Sequence, residues 1–250
     1  MFDAPEPFEL HGRTWEEAAE LIDRADFVAL PCGSIEQHSI HLPLSVDSIR
    51  AAELTHRLAA AAPEHGLTIA TLPTLPYGYS EHHMTYPGTV TLDGDTYQDV
   101  IVDVGRSVAR HGGSRFMPIN FHGGNREPLK LAADRLQREH ELSTHVVDWT
   151  DFVRDDRKEH FGEGWGHAGD HETSAMEYLA PDVVRTDRKE PQTLKATFST
   201  RRIAYFDEIT EQGGLGDPTN SDPAFFESIV PKANDRILEA LSADIEAAAE

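Results

Sequence analysis

Cysteine is nearly absent from this sequence, since Cys32 is the only one among 250 residues. A single cysteine cannot form an intrachain disulfide, and it cannot supply the several thiolates of a structural zinc site. A catalytic thiolate is an open alternative because His38 and His41 follow closely. However, the carboxylates nearby in the sequence would raise rather than lower the pKa of a thiol. We expect Cys32 to be a small structural residue at the end of a strand.

Lysine is also scarce, and acidic residues dominate the charge. The chain has 5 lysines, 17 arginines and 44 acidic residues, which give a formal net charge of −22. Binding to nucleic acid is disfavoured because a phosphate backbone needs a basic protein face. The acidic residues are scattered, which is typical of a halophilic protein, where salt screens the repulsion between like charges. An acidic surface for a basic partner is the alternative.

Long apolar runs are missing as well. No segment approaches the roughly 18 consecutive apolar residues of a membrane span. Met1–Glu9 lacks the basic start and the apolar centre of a signal peptide. We therefore expect a soluble, cytoplasmic protein that has no membrane partner.

Short apolar segments alternate with amphipathic helical patterns through most of the chain. Strands are predicted at Phe27–Leu30, Leu67–Leu72, Arg115–Asn120 and Thr144–Trp149. Helices are predicted after the cap Thr14 through Arg24, at Ser48–Ala62, at Asp95–His111 and from about Glu127. A C-terminal helical region from Asp222 should be interrupted near Pro231. This alternation predicts an α/β fold, a single three-layer α/β/α domain over residues 1–250 with a largely parallel central sheet.

Polar residues that could carry chemistry follow the predicted strands. Glu36, His38 and Asp47 come shortly after the first strand, and His122 and Asn125 come after the third. In open α/β sheets such segments meet beyond the carboxyl ends of the strands. Carboxylates and imidazoles that converge there suit Zn²⁺, Mn²⁺ or Fe²⁺. The alternatives are that Glu36 and His38 are ordinary loop residues, that Asp47 caps a helix and that His122 caps a turn.

A long loop, Pro73–Gly88, contains Tyr79, Ser80 and the pair His82 and His83. Structureless loops of this length are usually functional. We expect His82 and His83 to be loop or pocket residues rather than metal ligands.

Another segment places Trp165 and His167 shortly before Glu172 and a predicted helix at Thr173–Ala180. Glu172 has an alternative role as a favourable acidic charge in the first turn of that helix. Trp165 is equally consistent with packing and with a lid over a substrate.

Together these segments resemble the creatininase family of metal-dependent amidohydrolases. The matching motifs keep their order along most of the chain: Gly33-Ser-x-Glu36-Gln-His38, His41-Leu-Pro-Leu44, Asp47, Tyr77-Gly, Pro87-Gly-Thr89, Asn120-x-His122-Gly-Gly-Asn125, Glu172-Thr-Ser174 and Gly216-Asp-Pro218. The resemblance implies a creatininase-like fold with two divalent metal ions (Zn, Mn or Fe(II)) in each subunit. Glu36, His38, Asp47 and His122 would be ligands, and Asp47 would bridge the two ions.

In creatininase itself, an acidic residue two places after the histidine that matches His122 completes the second metal site. This sequence has Gly124 at that position, so we expect Glu172 to serve there as ligand and catalytic residue. His167 matches a histidine implicated in proton transfer. Ser39 stands where relatives usually carry glycine. Substrate contacts are expected from Trp165, Tyr79, Ser80 and Asn125.

The resemblance implies hydrolysis of a non-peptide or cyclic C–N amide bond of a small molecule by a metal-activated water. One branch of the family deformylates a formylaminopyrimidine nucleotide, and a halophile would fit that branch. Its phosphate would need a cationic pocket, for which Arg50, Arg126 and Arg201–Arg202 are candidates. Creatinine hydrolysis is the alternative reaction within the family. A second alternative is that the protein is a family member that binds a metal or a small ligand without catalysing a reaction. The resemblance also implies a homo-oligomer, often a hexamer.

Overall fold

A parallel sheet forms the centre of the computed structural model, which describes residues 6–162, 166–197 and 204–249. The strands follow the spatial order β2–β1–β3, and both β4 and β5 pair with β3. Their bounds are β1 Phe27–Cys32, β2 Ile69–Thr71, β3 Arg115–Asn120, β4 Ser143–Thr144 and β5 Val147–Asp148.

Helices separate the strands and then complete the chain. Their bounds are α1 Trp15–Arg24, α2 Val46–Ala61, α3 Gly94–Arg110, α4 Arg126–His140, α5 Arg154–Phe161, α6 Asp170–Leu179, α7 Phe206–Ile209 and α8 Pro223–Ala249. The predicted cap of α1 is confirmed, because the Glu17 backbone N–H donates to Thr14 Oγ1 and Thr14 N–H donates to the Glu17 carboxylate. No described helix is both long and apolar enough to cross a membrane.

Helices cover both faces of the sheet. Alternate residues of a strand point to opposite faces, so Phe27 and Ala29 of β1 join a core with α2, α6 and α8. Val28 and Leu30 join the opposite core with α3 and α4. All six residues of β1 are buried, as a strand covered on both faces requires. The predicted three-layer architecture with a parallel sheet is confirmed.

The predicted strand at Thr144–Trp149 is interrupted in the structure. β4 and β5 keep one register against β3, because Arg115 pairs with Ser143 and Asn120 pairs with Asp148. The break covers His145 and Val146, although the His145 backbone N–H still donates to the Phe116 carbonyl at 2.8 Å. The His145 imidazole contacts Ser143 Oγ at 3.0 Å and the Asp244 carboxylate of α8 at 3.2 Å.

The expected interruption at Pro231 is wrong, because α8 continues through that residue. The buried residues of α8 recur every three or four positions at Phe226, Ile229, Ala233 and Ile237. Packing of that stripe in the core it shares with α2 and α6 holds the helix together across the proline. Pro231 itself is exposed, so water can solvate the backbone carbonyl that loses its N–H partner.

We predict that Pro231→Ala raises the free energy of unfolding by about 1–3 kcal/mol, because it restores a helical hydrogen bond and removes a ring clash. Denaturant unfolding followed by circular dichroism measures the change. Pro223→Ala is the matched control, since Pro223 begins α8, where a missing N–H does no harm, and its effect should be much smaller. Equal effects of the two variants, or a loss of stability in Pro231→Ala, would contradict this account of α8.

Candidate metal centre

The candidate ligands meet at the carboxyl edge of the sheet. Cys32, the last residue of β1, pairs with Asn120, the last residue of β3. The chain segments that continue from these two residues therefore leave the sheet side by side. They carry Glu36 and His38 on one side and His122 on the other.

Asp47 lies between the two histidines. Its Oδ1 atom is 3.7 Å from His38 Nε2, and its Oδ2 atom is 3.3 Å from His122 Nδ1. Asp47 is in the first turn of α2 and is 1% exposed, so the helix fixes the direction of the carboxylate. One carboxylate with an oxygen directed toward each imidazole is the arrangement that a bridging ligand needs.

Backbone carbonyls fix the orientation of the imidazoles. His38 Nδ1 is 3.2 Å from the Glu36 carbonyl oxygen, and His122 Nε2 is 3.0 Å from the Tyr79 carbonyl oxygen. A carbonyl only accepts, so these nitrogens carry the protons. The other nitrogen of each ring faces the carboxylates, which is how metal-binding histidines are usually held.

Several buried polar atoms of the cluster have no hydrogen-bond partner among the described residues. They are Glu36 Oε1, His38 Nε2 and Asp47 Oδ2. Unsatisfied buried groups of this kind are rare and call for an unseen partner such as an ion. Three groups of described donors lie close enough to hold a cation: one of His38, Asp47 and Glu172, one of Glu36, His82 and His122, and one of Glu36, His38 and His167. His82, expected only as a loop or pocket residue, is therefore a further possible donor. The donor set therefore fits a divalent metal such as zinc or manganese.

Glu172 lies beside the cluster, as expected from the lack of an acid at Gly124. It is in the first turn of α6, with Oε2 3.6 Å from His38 Nε2. The Ala168 backbone N–H donates to the same Oε2 at 2.7 Å. A Cβ atom on Gly124 would lie 2.2 Å from the Tyr79 carbonyl oxygen, so this backbone has no room for a side chain there. The structure thus brings Glu172 to the cluster as the sequence predicted, although its role as a ligand stays a prediction.

Arg50 is a member of the cluster that the sequence interpretation assigned elsewhere. It is fully buried, and its Nη1 atom donates to Glu172 Oε1 at 2.8 Å and lies 3.4 Å from Asp47 Oδ1. Arg50 is therefore a partner of the candidate ligands and not the phosphate contact that was considered. The sequence feature that could have indicated this contact is the position of Arg50 one helical turn after Asp47.

The charge on each residue of the cluster affects the pKa values of its neighbours. Burial opposes a charge on His38, but Asp47 and Glu172 outweigh burial and raise its pKa to about 9. The pKa of His122 is raised well above its ordinary value because Glu36 and Asp47 outweigh burial. Burial also opposes ionisation of Asp47, yet the two histidines hold its pKa far below the usual range. The carboxylates therefore favour positive charge between them, and metal binding would displace protons from the imidazoles.

His83 and Gln37 form a support that the sequence interpretation missed. Gln37 Nε2 donates to the Gly213 carbonyl at 2.8 Å and lies 2.7 Å from His83 Nδ1, which must accept. The proton of His83 is then on Nε2, 3.4 Å from Glu36 Oε1. Burial lowers the pKa of His83 far below its ordinary value, so this ring is neutral. It lies beside the Glu36 carboxylate, and in the sequence only the length of the loop that carries His83 pointed to a functional role.

His167 contacts the same network. Its Nε2 atom is 2.6 Å from the Gln37 carbonyl oxygen and therefore carries the proton. Its Nδ1 atom faces Glu36 Oε1 at 3.6 Å and Glu172 Oε2 at 4.0 Å. Burial and His38 lower the pKa of His167 below its ordinary value. A neutral imidazole thus directs a free nitrogen into the cluster.

Tyr79, Ser80 and Asn125 support the cluster in the structure. Asn125 accepts from the Tyr79 backbone N–H at 2.9 Å and donates to the Gly33 carbonyl at 3.1 Å. Ser80 Oγ lies 2.6 Å from Ser34 Oγ and 3.2 Å from His122 Nε2. These residues are not among those that line the adjoining cavity, so their role as substrate contacts stays a prediction.

Three further expectations concern Cys32, Ser39 and Trp165. Cys32 is fully buried, and burial raises the pKa of its thiol to about 12, which excludes a reactive thiolate. Ser39 adopts a φ of 57°, the left-handed region that favours the glycine of relatives. Trp165 lies outside the described residues.

A cavity of about 320 Å³ opens on the cluster. This volume suits a small-molecule ligand. The residues around it include Glu36, Asp47, His82, His83, His122, His167, Glu172 and Phe206 near the cluster, and Arg126, Asp148, Thr150, Arg154 and Arg157 beyond it.

We predict that protein stripped of metal by a chelator loses stability as the pH rises. The folded-state pKa of His38 is about 9, above its ordinary value of 6.5, so its stabilising contribution is complete below pH 6.5 and is lost as the pH rises through 9. The raised pKa of His122 acts in the same direction. The thermal midpoint measured between pH 6 and pH 9.5 should fall. Repulsion among the acidic residues also grows with pH, so His38→Asn is the control. Its thermal midpoint should fall less steeply with pH. Identical slopes for the two proteins would contradict the role assigned to the His38 charge.

Comparisons with known proteins identify relatives of this chain. The mycofactocin precursor peptide peptidase of Mycolicibacterium smegmatis is 31% identical over 228 residues, which cover 87% of each chain. The creatinine amidohydrolase of Pseudomonas putida is 31% identical over 194 residues, which cover 70% of this chain and 73% of the relative.

Solved creatininase structures share the fold. One creatininase mutant matches with a TM-score of 0.84 and 25% identity, and a manganese creatininase matches with a TM-score of 0.81 and 26% identity. Each match covers 96% of this chain and 99% of the other. A family model described as creatininase, creatinine amidohydrolase, matches residues 11–241. The chain belongs to the creatininase family.

Proposed function

We propose that this protein is a metal-dependent amidohydrolase that cleaves a non-peptide C–N amide bond of a small molecule. The observation that carries the proposal is the Asp47 carboxylate, which directs one oxygen to His38 and the other to His122 beside a cavity of small-molecule size. Membership of a family that includes a creatinine amidohydrolase supports the same chemistry.

The proposed centre holds two divalent ions. His38 and Glu172 would serve one ion, Glu36 and His122 would serve the other, and Asp47 would be shared. The names of similar structures support zinc and manganese, since one is described as a manganese creatininase and another as a zinc–zinc form of a mutant creatininase. Iron(II) is proposed only from the chemistry of the donor set. Bound ions would supply activation of water and polarisation of the amide carbonyl.

His167 is the proposed proton carrier. Its Nε2–H is held by the Gln37 carbonyl, so the proton moves at Nδ1, the nitrogen that faces the cluster. Its lowered pKa keeps the ring neutral and able to accept a proton from the attacking water. When the C–N bond breaks, the same Nδ1 atom returns that proton to the departing nitrogen.

The proposal includes two narrower functions, deformylation and creatinine hydrolysis, and cleavage of a peptide is an alternative to it. Deformylation of a formylaminopyrimidine nucleotide is our first candidate, because Gly124 departs from creatininase in the cluster itself. Creatinine hydrolysis and cleavage of a peptide are supported by two relatives of equal identity. Release of formate, creatine or an amine from a panel containing all three substrates, with Zn²⁺ or Mn²⁺, separates them. Tight metal binding without turnover on any amide would instead indicate a non-catalytic binder. The family resemblance implies a homo-oligomer, often a hexamer, and this assembly stays a prediction.

We predict that Asp47→Ala loses bound metal and nearly all turnover, because the shared carboxylate is removed from both ions. The fall in kcat should exceed the roughly 10–100-fold fall that follows loss of a residue that only hydrogen-bonds to a metal ligand. Elemental analysis of the purified protein and assay of the best amide in the panel provide the measurements.

Asp148→Ala is the matched control for metal content, since Asp148 lines the same cavity but makes no contact with the cluster. It should retain its metal. An Asp47→Ala protein that keeps both metal and turnover would refute the proposed centre.

A further inference from the structure

His82 is an imidazole at the candidate centre that the proposed ligand set does not use. One ligand atom from each of Glu36, His82 and His122 lies within 4.8 Å of the other two. The His82 side chain also lines the cavity that opens on the cluster. A neutral imidazole has one nitrogen without a proton, which can bind a metal ion. His82 therefore reaches the side of the centre where Glu36 and His122 would hold their ion.

The glycine at position 124 leaves room for this imidazole. A Cβ atom on Gly124 would lie 2.8 Å from His82 Cε1 and 2.5 Å from His122 Nε2. Both distances are shorter than a van der Waals contact, so a side chain at position 124 and the His82 ring could not both keep these positions. The ring therefore occupies space beside His122 that any larger residue at position 124 would need.

Hydrogen bonds fix the turn that carries His82. The Tyr79 backbone N–H donates to Asn125 Oδ1 at 2.9 Å, which ties the loop to the segment that follows β3. The His83 backbone N–H donates to the Ser80 carbonyl at 2.9 Å and closes a turn around His82. A ligand on a fixed turn loses little conformational freedom when it binds, so this arrangement favours metal binding.

Aromatic neighbours pack against the half-buried His82 ring, but its nitrogens lack protein partners. The ring centroid is 5.7 Å from that of His122, with 10° between the two planes, and 5.8 Å from that of Phe206. Neither nitrogen hydrogen-bonds to another of the residues that the structure describes. A metal ion between Glu36 and His122 would supply a partner for one of these nitrogens.

We propose that His82 is a metal ligand, the fourth protein donor beside Glu36, His122 and the shared Asp47. The inference rests on the proposed two-ion centre, and it departs from the expectation that His82 is only a loop or pocket residue. It also makes the two ions unequal. The ion at His82 would have two imidazoles, whereas the ion at His38 would have one imidazole and two carboxylates. Imidazole favours zinc and carboxylate favours manganese, so the side with His82 should prefer zinc.

The test measures the affinity of the protein for Zn²⁺ alone, by competition with a chromophoric chelator. The variant His82→Phe keeps an aromatic ring beside His122 but removes both nitrogens. We expect one of two zinc ions to bind this variant more weakly, by more than the roughly 10–100-fold loss seen when a ligand's hydrogen-bond partner is removed. The second ion should be retained. Met84→Ala is the matched control, since Met84 follows the same turn and is 43% exposed, and it should bind both ions as the unaltered protein does.

Cobalt supplies a second measurement that does not depend on activity. The visible absorption of bound Co²⁺ changes when water replaces a nitrogen ligand, so the spectrum should change in His82→Phe and stay the same in Met84→Ala. An unchanged zinc affinity or an unchanged cobalt spectrum in His82→Phe overturns the inference and leaves the proposed centre intact. Unaltered protein that binds no second ion contradicts the proposed centre together with the inference. Absence of turnover on every amide, with the metal results as expected, overturns only the proposed hydrolysis.

Discussion

Buried carboxylates that require positive charge are the constraint on which this structure depends. Glu36, Asp47 and Glu172 converge where little water can screen them, and imidazoles and Arg50 are the described groups that can bring positive charge to them. Their repulsion would favour unfolding or protonation unless cations were present. The raised pKa values of His38 and His122 show that protons occupy that role when no metal is bound. The rest of the centre can be understood as the means of holding these groups together.

The parallel sheet supplies the first part of that support. Pairing of Cys32 with Asn120 and of Asn120 with Asp148 brings three chain segments to one edge. The first two carry every candidate ligand of the proposed set except Glu172, which lies on α6, and the third leads to α5. One register therefore places residues of all three segments around the same cavity. A shift in pairing would separate them and reverse which side chains face each layer.

Local patterns in the sequence predicted much of this arrangement. Alternating strands and helices predicted the layers, and the motifs around Glu36, His122 and Glu172 predicted which residues would meet. The sequence could not predict the contacts of His83 or Arg50, because these depend on tertiary packing between segments far apart in the chain. It also could not predict that α8 passes Pro231, since burial of the facing stripe outweighs the local effect of proline.

The most direct test of the central claim is a crystal structure of the zinc- or manganese-loaded protein with anomalous scattering recorded at the metal edge. The account predicts two peaks about 3.5–4 Å apart, one near each oxygen of the Asp47 carboxylate. His38 and Glu172 should contact one peak, and Glu36 and His122 the other. A single peak, or two peaks that Asp47 does not join, would contradict it.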